Sequence, residues 1–574
     1  MRLTRGRLLL LIVIAFVLIV ALLRMAAQPD VREGSVLVID LDGEYVEGAE
    51  TPWVERLLGA RQNTLLSLLQ SLALAERDDR LAAVVFRIRP LAVGWAKAQE
   101  IRDAIGRLRE AGRRTIAYFE VERLGANLEY YVATAADEIY VAPATTAPLV
   151  GLAAEYYFLG GLWEKVGIDV EVEQAGEFKS ATEFFAAKKM SDASRSVENA
   201  LLDSIDAQFV DGIAEGRGIA ASAVRSLIDE APADAEVLVD AGLVDGIAYY
   251  DELLEDLGDP HLVPGPAYRQ IDPSSVGIRP TARFALIYGS GPVVVGEGDR
   301  SLSGDPVIAS DTIAGALEEA AADPDIRAII LRVDSPGGSP LASDVIWRAT
   351  QRARAGGTPI VASLSDVAAS GGYYLACGAD AIVAEPGSLT GSIGAFVLRP
   401  VFGGLYDKVG IGFEVLTRAA RADLLATSQP LSPAARQLLA DEVQGIYALF
   451  LERVAQGRAL ELARAHEVAR GRVWTGSQAL EQGLVDELGG LRAAIGRGKA
   501  LAGVDPEADV QLILYPAPRS FAERVAEALQ GRVATLARRS ALPVPAVLRE
   551  LERWLAAAPP LTPVLLPPFV AEIR

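Results

Sequence analysis

The sequence predicts an α/β protein in which one domain occurs twice in tandem. Matching segments recur in the same order about 245 residues apart along the chain. Within each copy, short runs rich in β-branched residues alternate with helical segments of ten or more residues. Such alternation is typical of a largely parallel, buried sheet covered by helices, and the repeat is far too long for a solenoid. We therefore interpret the chain as a duplicated α/β domain.

The matching segments extend along the whole of both copies. YYVATAADEIYVAP at 130–143 resembles YYLACGADAIVAEP at 373–386. GGLWEKVGIDVEV at 160–172 resembles GGLYDKVGIGFEV at 403–415. Because order and spacing are both kept, we expect the two copies to share one fold.

Predicted strands and helices define the extent of each copy. In the second copy they fall at FALIYG, AIILRV, PIVASL and AIVAEP for strands, and SDTIAGALEEAAADP and ASDVIWRATQRARAGG for helices. The first repeat is expected over 35–257 and the second over 281–500. Proline and glycine punctuate 258–280, which predicts a linker. Residues 501–574 are expected to form a helical, Pro-rich tail, to which we assign no role.

The N-terminal residues 1–27 are typical of a membrane anchor. Arg2, Arg5 and Arg7 precede an uncharged apolar run at 8–23. The run is just long enough to span a bilayer if flanking residues snorkel, and the preceding arginines favour a cytoplasmic N-terminus. The segment RMAAQPD offers only a poor cleavage site. We expect a retained single-pass transmembrane helix, with the rest of the chain outside the cytoplasm.

Composition excludes some classes of function. The formal net charge of −21 argues against a nucleic-acid partner, because a phosphate backbone requires a basic face. The single cysteine, Cys377, excludes an internal disulfide framework and a cysteine-based zinc cluster. We expect neither a metal nor an organic cofactor.

A glycine turn and a serine mark a candidate site in the second copy. LRVDSPGGSP at 331–340 ends a predicted strand, and its Pro-Gly-Gly turn exposes backbone N–H groups of the kind that an oxyanion hole needs. One strand later, Ser370 in ASGGYYLAC lies where the chain enters a helix. Ser370 alone is equally consistent with a helix N-cap. Together with the glycine turn, it is a candidate nucleophile.

A serine nucleophile needs a base, and histidine is a poor candidate in this chain. His261 lies in the predicted linker and His466 in a charged helix, so both are expected on the surface. Arginine cannot act as a base. A lysine with a lowered pKa remains, and the chain has only seven lysines.

The repeat separates Lys179 from the other lysines. Lys165 and Lys408 occupy equivalent positions, which favours a structural role for both. Lys179, in EQAGEFKSATEFF, has Ala422 as its counterpart instead.

Ser370 likewise lacks an equivalent in the other copy, because its counterpart is Asn127. The first copy therefore has a lysine without a serine, and the second a serine without a lysine. One Ser–Lys dyad would form if the copies face each other, either within a chain or between chains.

The motifs together resemble bacterial signal peptide peptidase A in its long form, which has a duplicated domain. The resemblance covers 35–500 and the N-terminal anchor, and rests on LRVDSPGGSPLASDVI, VAASGGYYLA, LTGSIGAF, GRVWTGSQALEQGLVDELGGL and GEFKSA. It implies a Clp-protease/crotonase fold in both copies. It also implies that Ser392 hydrogen-bonds the lysine amine, although Ser392 alone is also consistent with a turn. One departure is Phe184 after Glu183, where the family usually has proline.

The resemblance implies catalysis by a Ser–Lys dyad, with Ser370 as nucleophile and Lys179 as general base. We expect backbone N–H groups of Gly371, and of Gly337 or Gly338, to hold the oxyanion that forms when Ser370 attacks a peptide carbonyl.

The expected function is that of a membrane-anchored serine endopeptidase that degrades remnant signal peptides after their release. Expected partners are signal peptides and other apolar peptides, the bacterial inner membrane, and further copies of the chain, the family suggesting a tetramer. The catalytic domains would lie on the periplasmic side. Two alternatives stay open: an inactive crotonase-fold scaffold and an acyl-CoA enzyme.

Overall fold

The computed structural model of the chain describes residues 29–48, 63–298 and 305–517. Among those residues, no helix combines the length and the apolar character needed to span a bilayer. The anchor predicted over 1–27, and the tail from 518 onward, lie outside the described residues.

Within the described residues, the first half of the chain forms a six-stranded parallel sheet in the order β8-β6-β5-β4-β1-β9. The strands of this half are β1 (Ser35–Gly43), β2 (Tyr45–Val46), β3 (Asn63–Thr64), β4 (Leu81–Leu91), β5 (Arg114–Phe119), β6 (Glu138–Val141), β7 (Asp169–Ala175), β8 (Gly246–Ile247) and β9 (Leu262–Pro264). Its helices are α1 (Leu65–Glu76), α2 (Trp95–Glu110), α3 (Asn127–Ala133), α4 (Gly160–Val166), α5 (Ala181–Ala186), α6 (Asp192–Arg217), α7 (Ala221–Glu230), α8 (Ala235–Asp240), α9 (Tyr250–Asp256) and α10 (Gly265–Tyr268), followed by a 3₁₀ turn at Pro273–Val276.

The second half repeats this strand order in the described ranges as β19-β15-β14-β13-β10-β20, and adds β16 and β18 beside the end of β14. Its strands are β10 (Ala282–Ser290), β11 (Val293–Val294), β12 (Ile308–Ala309), β13 (Ile326–Ser335), β14 (Ile360–Ala369), β15 (Ala381–Ala384), β16 (Leu389–Gly391), β17 (Ala395–Val401), β18 (Val473–Thr475), β19 (Glu487–Leu488) and β20 (Val510–Tyr515). Its helices are α11 (Ser310–Ala322), α12 (Pro340–Ala355), α13 (Gly371–Ala376), α14 (Gly403–Val409), α15 (Pro433–Gly457), α16 (Leu462–Val468), α17 (Gly476–Glu481) and α18 (Leu491–Ala502), with a 3₁₀ turn at Ala422–Leu425.

The two halves repeat individual hydrogen bonds as well as strand order. In the first, the Tyr130 hydroxyl donates to the Leu243 carbonyl over 2.6 Å. In the second, the Tyr373 hydroxyl donates to the Leu484 carbonyl over 2.8 Å. Buried hydroxyls need such partners, so these bonds fix α3 against the loop before β8 and α13 against the loop before β19.

The structure places the repeat boundaries further along the chain than the sequence pattern does. β9 lies inside the predicted linker 258–280, yet it pairs with β1 as an edge strand of the first sheet. β20 lies beyond the predicted end at residue 500 and pairs with β10 in the same way. Both boundaries were therefore predicted too early. β9 and β20 are short, and they pair with β1 and β10, which lie more than 200 residues earlier in the chain. The residues near β9 and β20 therefore give little indication that these strands belong to the sheets.

An antiparallel ladder joins the two halves. β7 of the first half pairs with β17 of the second, from Ala175 opposite Ala395 to Asp169 opposite Val401. Helix α1 lies between the sheets: Leu65 and Leu68 pack in the first core, while Leu66 packs on the second sheet. The halves thus share apolar and main-chain contacts.

Buried charges also connect the halves. The Arg332 guanidinium, 1% exposed, lies 2.7 Å from a Glu47 carboxylate oxygen and 2.6 Å from one of Glu100. It also donates to Ser363. Glu47 and Glu100 belong to the first half and Arg332 to β13 of the second, so this network holds the halves in register.

A second ionic group lies nearer the carboxyl ends of β13 and β14. Lys97 Nζ lies 2.7 Å from Asp334 and 3.3 Å from Asp366, and the backbone N–H groups of Gly94 and Lys97 donate to Asp366. Burial lowers the pKa of Lys97, but the Asp334, Asp366 and Glu47 carboxylates outweigh it and raise that pKa. Lys97 therefore stays charged, and the N-terminus of α2 is fixed against both strands.

We predict that Arg332→Met destabilises the fold by about 3–5 kcal/mol, because the buried Glu47 and Glu100 carboxylates then both lose the guanidinium that they contact. Urea denaturation followed by tryptophan fluorescence measures this change. The control is Arg352→Met, which removes an exposed ion pair with Glu318 and should cost about 0–1 kcal/mol. Equal losses of stability in the two variants would contradict a large contribution of the buried ionic network to the free energy of unfolding.

Candidate active site

Ser370 lies between the end of β14 and the start of α13. Its backbone has φ 56° and ψ −116°, a strained conformation for a residue with a side chain. Its N–H donates to the Gly391 carbonyl over 2.8 Å, and its side chain makes no capping bond to α13. The N-cap interpretation is therefore wrong, and the hydroxyl is available for another partner.

That partner is Lys179, which follows β7 in the first half. Lys179 Nζ lies 2.7 Å from Ser370 Oγ, 2.7 Å from the Ser392 carbonyl oxygen and 2.9 Å from Ser392 Oγ. All three residues are fully buried. The structure thus brings Ser370, Lys179 and Ser392 together within one chain.

Two glycines border Lys179. A Cβ on Gly471 would lie 2.5 Å from the Lys179 nitrogen, and one on Gly394 would lie 3.2 Å from Lys179 Cδ. Only glycine allows both close approaches. Sequence reasoning missed both residues. Both lie in segments that carry the family resemblance, Gly394 in LTGSIGAF and Gly471 at the start of GRVWTGSQALEQGLVDELGGL, but nothing in those segments alone places either glycine beside Lys179.

Burial lowers the pKa of Lys179 well below its ordinary value of 10.5. No carboxylate of the described residues opposes this effect, in contrast to Lys97. The neutral amine is therefore favoured, and a neutral amine has a lone pair that can accept a proton.

Ser392 lies in a turn between β16 and β17, also with a positive φ, of 52°. Its N–H donates to the Arg472 carbonyl over 2.7 Å, which fixes the turn against the segment before β18. Two strained serines thus approach the same amine, and such strain often occurs at functional sites.

The glycine turn after β13 lies beside Ser370. The N–H of Gly337 is engaged, because it donates to Ser335 Oγ over 3.1 Å. In the described part of the chain, the N–H groups of Gly338 and Gly371 have no hydrogen-bond partner. A Cβ on Gly371 would lie 3.0 Å from the Gly338 nitrogen, so these two segments are adjacent. The geometry favours Gly338 over Gly337 as the second oxyanion donor.

The two histidines and the single cysteine have partners other than Ser370 and Lys179. His261 Nε2 contacts the Asp30 carbonyl at 2.8 Å, and His466 packs against Tyr447. Burial raises the pKa of the Cys377 thiol to about 12. Across the described ranges, no group of three or more His, Cys, Asp or Glu side chains is placed to hold a metal ion.

Comparison with known proteins assigns the chain to a family. Residues 107–261 and 352–505 match Peptidase family S49. The chain is 36% identical over 502 residues to "Serine protease SPPA, chloroplastic" of Arabidopsis thaliana, covering 85% of this chain and 72% of that protein. It is 28% identical over 506 residues to "Protease 4" of Haemophilus influenzae, covering 83% and 81% respectively.

These matches place the chain among the serine peptidases. It belongs to peptidase family S49, in the long form that carries two copies of the family domain.

We predict that the stability difference between wild type and Lys179→Met depends on pH. Below about pH 10.4, the unfolded chain binds a proton at this lysine that the folded chain does not. Wild-type stability should therefore rise with pH relative to the variant, by up to about 1.4 kcal/mol per pH unit. As the pH falls, wild type loses stability relative to the variant. This loss stops growing once the pH is below the pKa that Lys179 has in the folded state.

Urea denaturation of both proteins between about pH 7 and about pH 10 measures this difference. Lys189→Met, which removes an exposed lysine, should run parallel to wild type over the same range. Parallel curves for Lys179→Met and wild type would mean that the folded-state pKa is ordinary.

Proposed function

We propose that the chain is an endopeptidase with a Ser–Lys dyad, in which Ser370 is the nucleophile and Lys179 the general base. The observation that carries this proposal is the 2.7 Å contact between a buried lysine amine without a countercharge and a buried serine hydroxyl. Among the residues that the structure describes, Lys179 is the basic group in contact with Ser370, and burial lowers its pKa.

The three partners of Lys179 match the hydrogen-bonding capacity of a neutral amine. Two N–H bonds can point to the Ser392 carbonyl and Ser392 Oγ, which leaves the lone pair facing the hydroxyl of Ser370. An ammonium would instead offer its third proton to that hydroxyl and prevent deprotonation. Ser392 is thus a positioning residue that orients the amine.

In the acylation step, Lys179 accepts the Ser370 proton while Ser370 Oγ attacks the peptide carbonyl carbon. The N–H groups of Gly338 and Gly371 stabilise the negative oxygen of the tetrahedral intermediate. The lysine ammonium then protonates the leaving amine as the C–N bond breaks, and a serine ester remains. Lys179 next takes a proton from water, whose oxygen attacks the ester carbonyl carbon; as the C–O bond to Ser370 breaks and the acid leaves, Lys179 returns that proton to Ser370 Oγ.

We further propose remnant signal peptides as substrates, with the catalytic domains held at the periplasmic face of the inner membrane by a helix within residues 1–27. A relative from Enterococcus faecium, 32% identical over 173 residues, bears the name "Putative signal peptide peptidase SppA", which supports this substrate class.

We predict that a fluorophosphonate probe labels Ser370 in the full chain and that Lys179→Ala abolishes the labelling, because Lys179 is the only base within the described ranges that contacts the hydroxyl. Mass spectrometry of the labelled peptides makes the measurement. Lys189→Ala is the matched control, since it also removes a lysine but from the exposed surface, and it should label like wild type. Labelling that survives loss of Lys179 would exclude it as the base.

The same three proteins test the substrate class. Wild type and Lys189→Ala should cleave a synthetic signal peptide faster than a peptide of equal length with aspartates in its apolar segment. Equal rates on both peptides would contradict the substrate proposal while leaving the dyad intact. Absent labelling and cleavage in folded wild type would favour a scaffold over an enzyme.

We predict that Gly371→Ala lowers kcat by about 100- to 1,000-fold with little change in KM, the loss expected when one oxyanion donor is displaced. The added methyl would lie 2.8 Å from Ser343 Oγ and 3.0 Å from the Gly338 nitrogen, so the two donors must separate. Gly315→Ala, in open space on α11, is the control and should retain full kcat. A loss confined to KM would assign Gly371 to substrate binding instead.

A further inference from the structure

The pairing of β13 with β14 is interrupted just before the groups that we propose for catalysis. β13 leads into the glycine turn, and β14 leads into Ser370. Their register runs without a shift to Val333 opposite Leu364. It then resumes with Ser335 opposite Ala368, so that one residue of β13 faces three of β14. This irregularity is a β-bulge, a feature that often lies next to an active site and redirects a side chain there.

The equivalent strands of the first half, β4 and β5, have no such bulge. Their register runs without a shift and ends with Ile88 opposite Phe119. That pair lies 245 residues before Val333 opposite Leu364, so the two ladders agree up to this point. Within the described residues, only the half that holds Ser370 extends the ladder past a bulge.

Lys97 of the first half lies at this bulge and is buried. Its Nζ lies 2.7 Å from Asp334, the bulge residue of β13, and 3.3 Å from Asp366, the middle bulge residue of β14. Its backbone N–H also donates to Asp366. Asp334 accepts the Val367 N–H over 3.2 Å as well. One cation thus joins the two strands at the point where their main-chain pairing is interrupted.

The three charges at the bulge have no equivalents in the other copy. α2 and α12 have 16 residues each and begin 245 residues apart, so the counterpart of Lys97 is Ala342. At the same offset, the counterparts of the two aspartates are Arg89 and Val121. Like the proposed dyad, this ionic group therefore belongs to one junction between the copies and is not a common feature of the repeat.

Hydrogen bonds connect the bulge with the oxyanion donor on the glycine turn. Ser335, the residue after Asp334, accepts the Gly337 N–H at its Oγ over 3.1 Å and donates to the Gly291 carbonyl over 2.7 Å. The Gly291 N–H donates back to the Asp334 carbonyl over 2.9 Å. Gly338 follows directly in the chain, so a displacement of Asp334 would also move the Gly338 N–H.

The other oxyanion donor depends on β14 in the same way. Asp366 lies only five residues before Gly371. A Cβ on Gly372 would lie 2.9 Å from the Ser335 carbonyl oxygen, so the start of α13 packs directly on the end of β13. The separation of the Gly338 and Gly371 N–H groups is therefore set by the relative position of β13 and β14 at the bulge.

We propose that Lys97 is a positioning residue that sets the separation of the two oxyanion donors by holding Asp334 against Asp366. This inference rests on the proposed function, because the donors act only if Ser370 attacks a carbonyl carbon. The first half then supplies two lysines to one site. Lys179 is the base, and Lys97 is the charge that maintains the geometry of the oxyanion hole.

Steady-state cleavage of the synthetic signal peptide by the full chain in detergent tests this role. Lys97→Met should lower kcat by about 10- to 100-fold with little change in KM, because the two aspartates then repel each other and a displacement of about 1 Å can cost about 100-fold. The matched control is Arg102→Met, on the same helix. Arg102 is also buried and donates to the Gly212 carbonyl of the first half, so its loss should lower stability but not kcat.

Two further measurements separate positioning from a general loss of structure. Lys97→Met should leave the pH midpoint of kcat unchanged, because the surroundings of Lys179 stay the same. It should also cost less in the Gly371→Ala background than in wild type, because both substitutions displace the same pair of donors. Asp366→Asn keeps the side-chain shape and should lower kcat in the same way but by less, which provides the test if Lys97→Met does not fold.

The outcomes distinguish this inference from the proposed function. An active wild type together with kcat values of Lys97→Met and Asp366→Asn equal to that of Arg102→Met would overturn the inference alone. A shifted pH midpoint in Lys97→Met, or costs that add fully with those of Gly371→Ala, would also overturn it. A folded wild type that neither cleaves the peptide nor labels at Ser370 would overturn the proposed function and this inference with it.

Discussion

A lysine amine from one copy of the domain must reach a serine hydroxyl of the other without a countercharge beside it. Lys179 and Ser370 are 191 residues apart in sequence and 2.7 Å apart at Nζ and Oγ. Such a contact requires two halves that cannot shift by even 1 Å, since misplacement of that size weakens catalysis severely. The β7–β17 ladder and the Arg332 network both satisfy this requirement.

The two buried lysines show how surroundings decide charge. Lys97 has two carboxylates within 3.3 Å and its pKa is raised, so it serves as a permanent cation between the strands. Lys179 has hydroxyl and carbonyl partners and its pKa is lowered. Burial without an opposite charge destabilises the folded state at neutral pH. This cost and the strain at Ser370 and Ser392 fall together at the proposed catalytic site.

The sequence predicts the architecture well, because the strand–helix alternation and the long repeat can both be recognised from the order of residues alone. Comparison of the two copies also isolates Lys179 and Ser370, since each lacks an equivalent in the other copy. The Lys97 and Arg332 networks were not predicted, because their partners come from distant segments whose proximity only the folded halves reveal. The same limit applies to Gly471, which matters only because the Lys179 backbone lies against it.

The most direct test is a measurement of the pKa of Lys179 in the folded chain. Labelling of the full chain with ¹³C at lysine Cε would give seven lysine resonances. The resonance that is missing from the spectrum of Lys179→Met is that of Lys179. We expect this resonance to titrate well below the ordinary value of about 10.4, and that of Lys97 not to. A Lys179 resonance that titrates at the ordinary value would contradict the claim that a neutral lysine activates Ser370.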